Sequence, residues 1–219
     1  MKRMQAKPAG EGHAVARAAA LPFPFRRGRL TIKPLTPELW PALEALFGPN
    51  GASSGCWCMW WRIGGAQIRV ANTLRNKAAF KAVVEKGPPP GLLAFDGNDV
   101  IGWCQITPRN MLPRLERSRV LARVDDVPVW SVSCFYIRRS HRRQGAMRAL
   151  IDAAVEYARK QHAPALEAYP WDEQGKRGSA GAYTGIRSAF AKAGFKEIAR
   201  RSADRPIMRH DLHARSAAR

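Results

Sequence analysis

The sequence predicts an α/β (α+β) fold, a mixed sheet with helices on both faces, and three observations carry that expectation. The elements run in the order strand, two helices, three strands, helix, strand, helix, two strands. Asp96-Gly97-Asn98-Asp99 sits between two apolar runs and is a strong hairpin signal. A β-branched and aromatic run, Val132 to Ile137, leads through a short basic loop closing on Gly145 into an amphipathic helix.

Each element has a local cause. Arg29 to Lys33 reads as a first strand. Thr36 reads as a helix N-cap with Pro37 at the first helical position, and Leu39, Leu43, Leu46 and Phe47 form one apolar face. Gly48-Pro49-Asn50-Gly51 stops that helix. Asn72 caps a second helix whose inward residues are Leu74, Phe80, Val83 and Val84, and Gly87-Pro88 ends it. Gly91 to Phe95 and Val100 to Thr107 are the hairpin strands. Residues 108–128 read as a long charged connection to the strand Trp130 to Ile137. Met147, Leu150, Ile151, Ala154 and Ala158 then recur at helical spacing. Ala165 to Tyr169 is a strand, and 170–182 is a Gly-rich loop. Ile186, Ala189, Phe190 and Ala193 mark a short helix stopped by Gly194, and Phe195 to Arg200 with Ile207 to His210 make a last hairpin.

The chain has 219 residues, 46% of them hydrophobic, enough for one domain with a real core. We read 1–28 as a disordered basic extension, 29–211 as the domain and 212–219 as a tail. No apolar run approaches ~20 residues, so no membrane span is expected. Lys and Arg outnumber Asp and Glu by 37 to 17, a net charge of +20. Such a balance can serve nucleic acid. Here the basic residues are scattered, which favours a local need for cations around a phosphorylated cofactor. Cys56, Cys58, Cys104 and Cys134 lack the spacing of a zinc site or redox pair, so no metal is expected. They read as buried thiols of a cytoplasmic protein.

The strand, tight loop and helix start around Gly145 form an anion trap. Free N–H groups point out of the helix start, the dipole favours negative charge, and glycine removes the Cβ that would hold a phosphate away. Arg142 and Gly145, following a strand that ends on Ile137, resemble motif A of the GNAT superfamily of N-acetyltransferases, whose pattern is Gln/Arg-x-x-Gly-x-Gly/Ala. Met147 departs from it, standing where Gly or Ala is usual. Ala193-Gly194-Phe195 after a short helix is a second anchor, and the resemblance covers roughly Arg29 to Asp211. Cys56-Trp57-Cys58-Met59-Trp60-Trp61-Arg62 and Glu167-Ala168-Tyr169-Pro170 resemble one bacterial branch of that superfamily.

The resemblance implies a mostly antiparallel twisted sheet with a central parallel strand pair, splayed to hold acetyl-CoA as co-substrate. Main-chain groups around Phe135, Tyr136 and Ile137 would meet the pantetheine. Arg142, Arg143, Gln144, Gly145, Ala146 and Met147 would cradle the pyrophosphate, with His141 as a further contact. The implied reaction is direct attack of a primary amine on the thioester, with the acceptor a small molecule or a peptide. Many relatives carry a tyrosine acid where this chain has Phe190. Tyr183 is therefore the first candidate acid, ahead of Tyr136 and Tyr169. Asp126 and Glu167, with Asp125 beside them, are the candidate bases. Trp57, Trp60 and Trp61 would line the acceptor pocket behind the flexible lead 51–55; the competing reading makes them an aromatic core pinning the first helix. A homodimer fits the reading, whereas nucleic acid and membrane are not expected partners. The alternatives are a non-catalytic module of this fold binding acyl-CoA or a partner, and a basic nucleic-acid-binding protein.

Overall fold

The computed structural model describes residues 23–64, 72–172 and 182–212. The expected basic extension is thus described only from Phe23. Most of the Gly-rich loop and all but Leu212 of the tail lie outside the described residues. The elements in chain order are β1 (Phe25–Arg27), β2 (Leu30–Pro34), α1 (Trp40–Phe47), α2 (Thr73–Lys86), β3 (Gly91–Asp96) and β4 (Asp99–Pro108). They continue with β5 (Trp130–Ile137), α3 (Ala146–Lys160), β6 (Ala165–Ala168), α4 (Arg187–Lys192), β7 (Lys196–Arg200) and β8 (Pro206–Asp211). The strands form one sheet in the order β1-β2-β3-β4-β5-β6-β8-β7. Among them only β5 and β6 run parallel. This is the mixed, mostly antiparallel architecture expected, with helices on both faces. No helix among the described residues is long and apolar enough to cross a membrane.

Strand alternation sorts the core into two layers. On β3, Leu92 and Ala94 face α3, together with Ile101, Cys104 and Ile106 of β4. Leu93, Phe95, Val100 and Trp103 face the other way, onto α1 and α2. The helix α3 buries a broad face because alanines at 146, 149, 153, 154 and 158 let it lie close to the sheet.

Local expectations fail in two instructive places. Thr36 makes no side-chain cap; Pro37–Leu39 is a 3-10 turn, and the α-helix begins at Trp40 with Pro41 in its first turn. A second proline there lacks the N–H that a helix running through from residue 37 would need. Asn72 does cap α2, its Oδ1 accepting from the Arg75 N–H at 2.8 Å. Leu74, however, is 77% exposed. The inward face runs through Asn76, Phe80 and Val84 at four-residue spacing, and two residues back from Asn76 is the far side of the wheel.

The charged connection at 108–128 holds a short α-helix, Pro113–Glu116, and contributes to the core. Leu112, Leu115 and Leu121 are buried with Trp61, Tyr169 and Ile207. Arg109 at its start is 1% exposed. Its guanidinium donates to Glu167 at 3.2 Å, to the Tyr169 hydroxyl at 2.9 Å, to the Leu121 carbonyl at 2.6 Å and to Glu116 at 2.6 Å. Replacing Arg109 by Ala should lower the unfolding free energy by ~3–5 kcal/mol, because the buried carboxylate loses a partner. Urea denaturation measures this. In the double variant with Glu167→Gln the two losses should add to less than their sum.

Candidate active site

The site begins where the parallel pair comes apart. β6 pairs with β5 only at Trp130↔Leu166, Ser131↔Glu167 and Val132↔Ala168. Pro170, two residues on, has no N–H with which to continue a ladder. β5 runs on to Ile137 without it. At the parting point Gln105 pairs with Cys134 and Ile106 with Val132, so Ser133 is an extra residue on β5. Bulges of this kind bend a strand and end pairing beside active sites. The Ser133 carbonyl accepts the Trp61 indole N–H at 3.1 Å, and its hydroxyl donates to Gln105 at 3.2 Å.

The gap opens into a cleft of about 1380 Å3. Phe135, Tyr136 and Ile137 form one wall, and Arg142, Arg143, Gly145, Ala146 and Met147 close one end. Arg143 and Gly145 both have left-handed backbone, with φ of 61° and 83°. No heavy atom lies within 4 Å of where a Gly145 Cβ would be, so glycine leaves that space open. The first i to i−4 bond of α3 runs from Ala149 to Gly145, which frees the N–H groups of Ala146, Met147 and Arg148 for an external acceptor. A phosphate or pyrophosphate fits this cradle. Arg142 is oriented by its Nε donating to the Ile137 carbonyl at 3.1 Å. Gln144 does not line the cleft: its side chain bonds the Ser140 carbonyl and Arg29. His141 lines it, with Nδ1 at 2.9 Å from the Ser140 hydroxyl.

The three tryptophans separate. Trp57 is 2% exposed and lines no cleft described here; it stacks on Trp40 and packs on Phe47. The expectation that it lines an acceptor pocket is corrected. Trp57 and Cys58 have positive φ, 45° and 55°, and that reversal sends Trp57 into the core. Trp60 and Trp61 both line the cleft, at 38% and 6% exposure. The lead 51–55 is held, not open: Asn76 Nδ2 donates to the Gly55 carbonyl at 2.8 Å, and Trp57 N–H bonds the Gly51 carbonyl at 3.2 Å.

Tyr183 lies opposite, on a 3-10 turn at 182–184, and reaches the same cleft. Burial pushes its hydroxyl up to about 12. Phe190 is fully buried between Phe135 and Phe195 and faces no cleft. The carboxylates expected as bases are elsewhere. Glu167 is 2% exposed and fully engaged by Arg109, Arg209 and Tyr169. Asp126 is an exposed loop residue that lines no cleft, and Asp125 is held by Arg209, whose bonds keep its carboxyl below the usual range. Tyr169 is buried in the Glu167 network, while Tyr136 lines the cleft. Among the described residues lining the cleft there is no Asp or Glu.

Cys56, Cys58 and Cys134 line its floor, the Cys58 and Cys134 sulfurs 3.6 Å apart. Burial raises Cys56 to about 11 and Cys58 well above the ordinary thiol range. A second cleft of about 550 Å3 shares Trp60, Trp61 and Tyr183 with the first and adds Arg114, Arg117, Trp171 and Arg205. Those four were missed in the sequence. Three lie in stretches rich in scattered basic residues, and no spacing marks them.

A core tryptophan and a cleft tryptophan should behave differently. Trp57→Ala should cost ~3–5 kcal/mol of stability, whereas Trp60→Ala should leave the melting temperature within a few degrees. Thermal denaturation of the two variants side by side checks this.

The family model for the Acetyltransferase (GNAT) family matches residues 57–179. No curated protein matches the chain. Among solved structures, yncA from Salmonella typhimurium with its cofactor acetyl-CoA is similar at 16% identity, over 87% of this chain and 98% of that one, with a TM-score of 0.52. A ribosomal-protein-S5-alanine acetyltransferase from Vibrio fischeri is similar at 11% identity, over 86% and 96% of the two chains, with a TM-score of 0.51. An N-acetyltransferase from Staphylococcus aureus is similar at 13% identity, over 84% and 99%, with a TM-score of 0.50. At these identities the likeness is one of fold.

Proposed function

The chain belongs to the Acetyltransferase (GNAT) family, and we propose that it is an N-acetyltransferase carrying the acetyl group of acetyl-CoA to a primary amine by direct attack. The observation that carries this reading is the open Gly145 cradle at the end of the β5–β6 gap. Acetyl-CoA supplies the activated acetyl thioester. The cradle holds its pyrophosphate, with Arg142 and Arg143 as countercharges. The edge of β5 that β6 leaves bare, Ser133 to Ile137, offers main-chain groups to the pantetheine amides. That directs the acetyl end toward Tyr183, Trp60 and Trp61.

In the reaction a nitrogen–carbon bond forms and a carbon–sulfur bond breaks. The amine gives up a proton and the thiolate gains one. With Asp126 and Glu167 away from the cleft, the amine proton goes to water. The cationic surroundings favour a neutral amine, since nearby like charge lowers an ammonium's pKa. Tyr183 is the donor to the leaving sulfur. A phenol at about 12 protonates an ordinary thiolate about a thousandfold uphill. Tyr183 therefore acts by hydrogen-bonding the sulfur as charge develops, and solvent completes the transfer.

Binding, turnover and pH dependence test this. Gly145→Asp places a carboxylate in the cradle and should weaken CoA binding at least tenfold, about 1.4 kcal/mol, by calorimetry; unchanged affinity would remove the cofactor assignment. Tyr183→Phe, which removes that hydrogen bond, should lower kcat ~100-fold, and a loss under threefold would leave water alone to serve the sulfur. The raised pKa of Tyr183 keeps it neutral as pH rises, so kcat between pH 6 and 10 should show no alkaline fall from its ionisation. Asp126→Asn should leave that profile unaltered. Tight CoA binding without turnover on any amine would favour the non-catalytic module.

A further inference from the structure

We propose that the acceptor is a small amine carrying its own anionic group, a carboxylate or a phosphate, held by Arg114, Arg117 and Arg205 in the second cleft. This rests on the acetyl-transfer reading and names the substrate class for it. The second cleft has the volume of a small-ligand site, about 550 Å3. Because Trp60, Trp61 and Tyr183 belong to both clefts, an amine seated in the second faces the acetyl end of the first.

The electrostatics select the occupant. Three guanidinium groups line the second cleft, and no carboxylate does so among the described residues. Outside this cleft Arg109, Arg123, Arg200 and Arg209 each hold one or two acids. Among the described residues Arg114 and Arg117 pair with no carboxylate. Arg114 lies flat on Trp60, its guanidinium carbon 3.5 Å from the ring centroid, and its Nη1 is buried with no hydrogen-bond partner. Arg205 lies over Trp171 at 4.0 Å and is fixed by its Nη2 donating to the Tyr169 carbonyl at 3.2 Å. Arg117 is anchored through Nε to the Pro113 carbonyl at 3.2 Å.

Stacking a guanidinium on an indole fixes its plane and leaves its edge donors facing outward, the geometry that takes an oxyanion bidentately. A polyamine or other dication meets like charge there and is disfavoured. Neutral amines gain the aromatic contacts alone.

The test uses the full chain with acetyl-CoA and follows release of free thiol. Glutamate, O-phosphoserine and phosphoethanolamine are compared with glutamine, serine amide, ethanolamine and spermidine. Expected is a kcat/KM at least about 30-fold higher for the anionic members, about 2 kcal/mol; the carboxylate and phosphate arms show which anion is preferred. Arg114→Gln and Arg117→Gln should each raise KM for the anionic acceptor about tenfold at unchanged melting temperature. Equal turnover of ethanolamine or spermidine, or arginine variants without effect on KM, overturns the proposal. If no amine is turned over, acetyl transfer itself fails and the anion site is judged separately. Tryptophan fluorescence of the CoA-loaded protein should then still saturate with O-phosphoserine or glutamate and lose that response in Arg114→Gln. No saturable response to either compound overturns the anion site too.

Discussion

The molecule is organised around a sheet that must come apart in its middle. Parting β5 from β6 strips ladder partners from a run of backbone groups, a cost that a folded chain carries only when the surroundings enforce it. Three features enforce it here. Pro170 denies β6 a continuing donor. The extra residue at Ser133 turns β5 aside. The Trp61 indole holds the Ser133 carbonyl at 3.1 Å. Below the split, Glu167 and Arg109 tie the last paired residues of β6 to the connection that follows β4. That pair is almost wholly out of water, so its own net stabilisation is small, while losing either member is expensive. Its value is geometric: it fixes where the two strands stop running together.

The same chain handles its excess positive charge in two ways. Most arginines near β6 to β8 are neutralised locally, as in the Arg209 contacts to Asp125 and Glu167 or the Arg200 contacts to Asp172 and Glu197. Around the clefts Arg114 stacks on Trp60, and Arg117 and Arg142 bond backbone carbonyls. Carbonyls and ring faces hold a guanidinium in place without cancelling its charge. A net charge of +20 thus says little by itself. What matters is which cations pair with acids and which are held by rings and carbonyls.

The order of strands and helices was legible because periodicity and turn residues are local signals, and the strand–loop–helix turn at Gly145 was legible because its residues are contiguous. The placement of Arg109 was not. Its partners Glu167 and Tyr169 are 58 and 60 positions away, and nothing near residue 109 distinguishes a buried arginine from a solvated one. The division of labour among Trp57, Trp60 and Trp61 was hidden for a different reason. It depends on two consecutive residues with left-handed backbone, Trp57 and Cys58, a conformation that neither residue type advertises. The three-residue β1 was missed because so short an edge strand exists only by pairing with β2.

Two thiols on the cleft floor, Cys56 and Cys58, bear on the path that the proposed reaction gives the acetyl group. A cysteine thiolate beside an activated thioester would exchange with it, and the protein would become its own acceptor. Burial keeps Cys56 and Cys58 protonated, the first with a pKa of about 11 and the second well above the ordinary range. Sulfur of that kind is a poor nucleophile at neutral pH. In the proposed acetyl transfer, Cys56 and Cys58 would therefore line the floor as soft, space-filling side chains without competing with the incoming nitrogen.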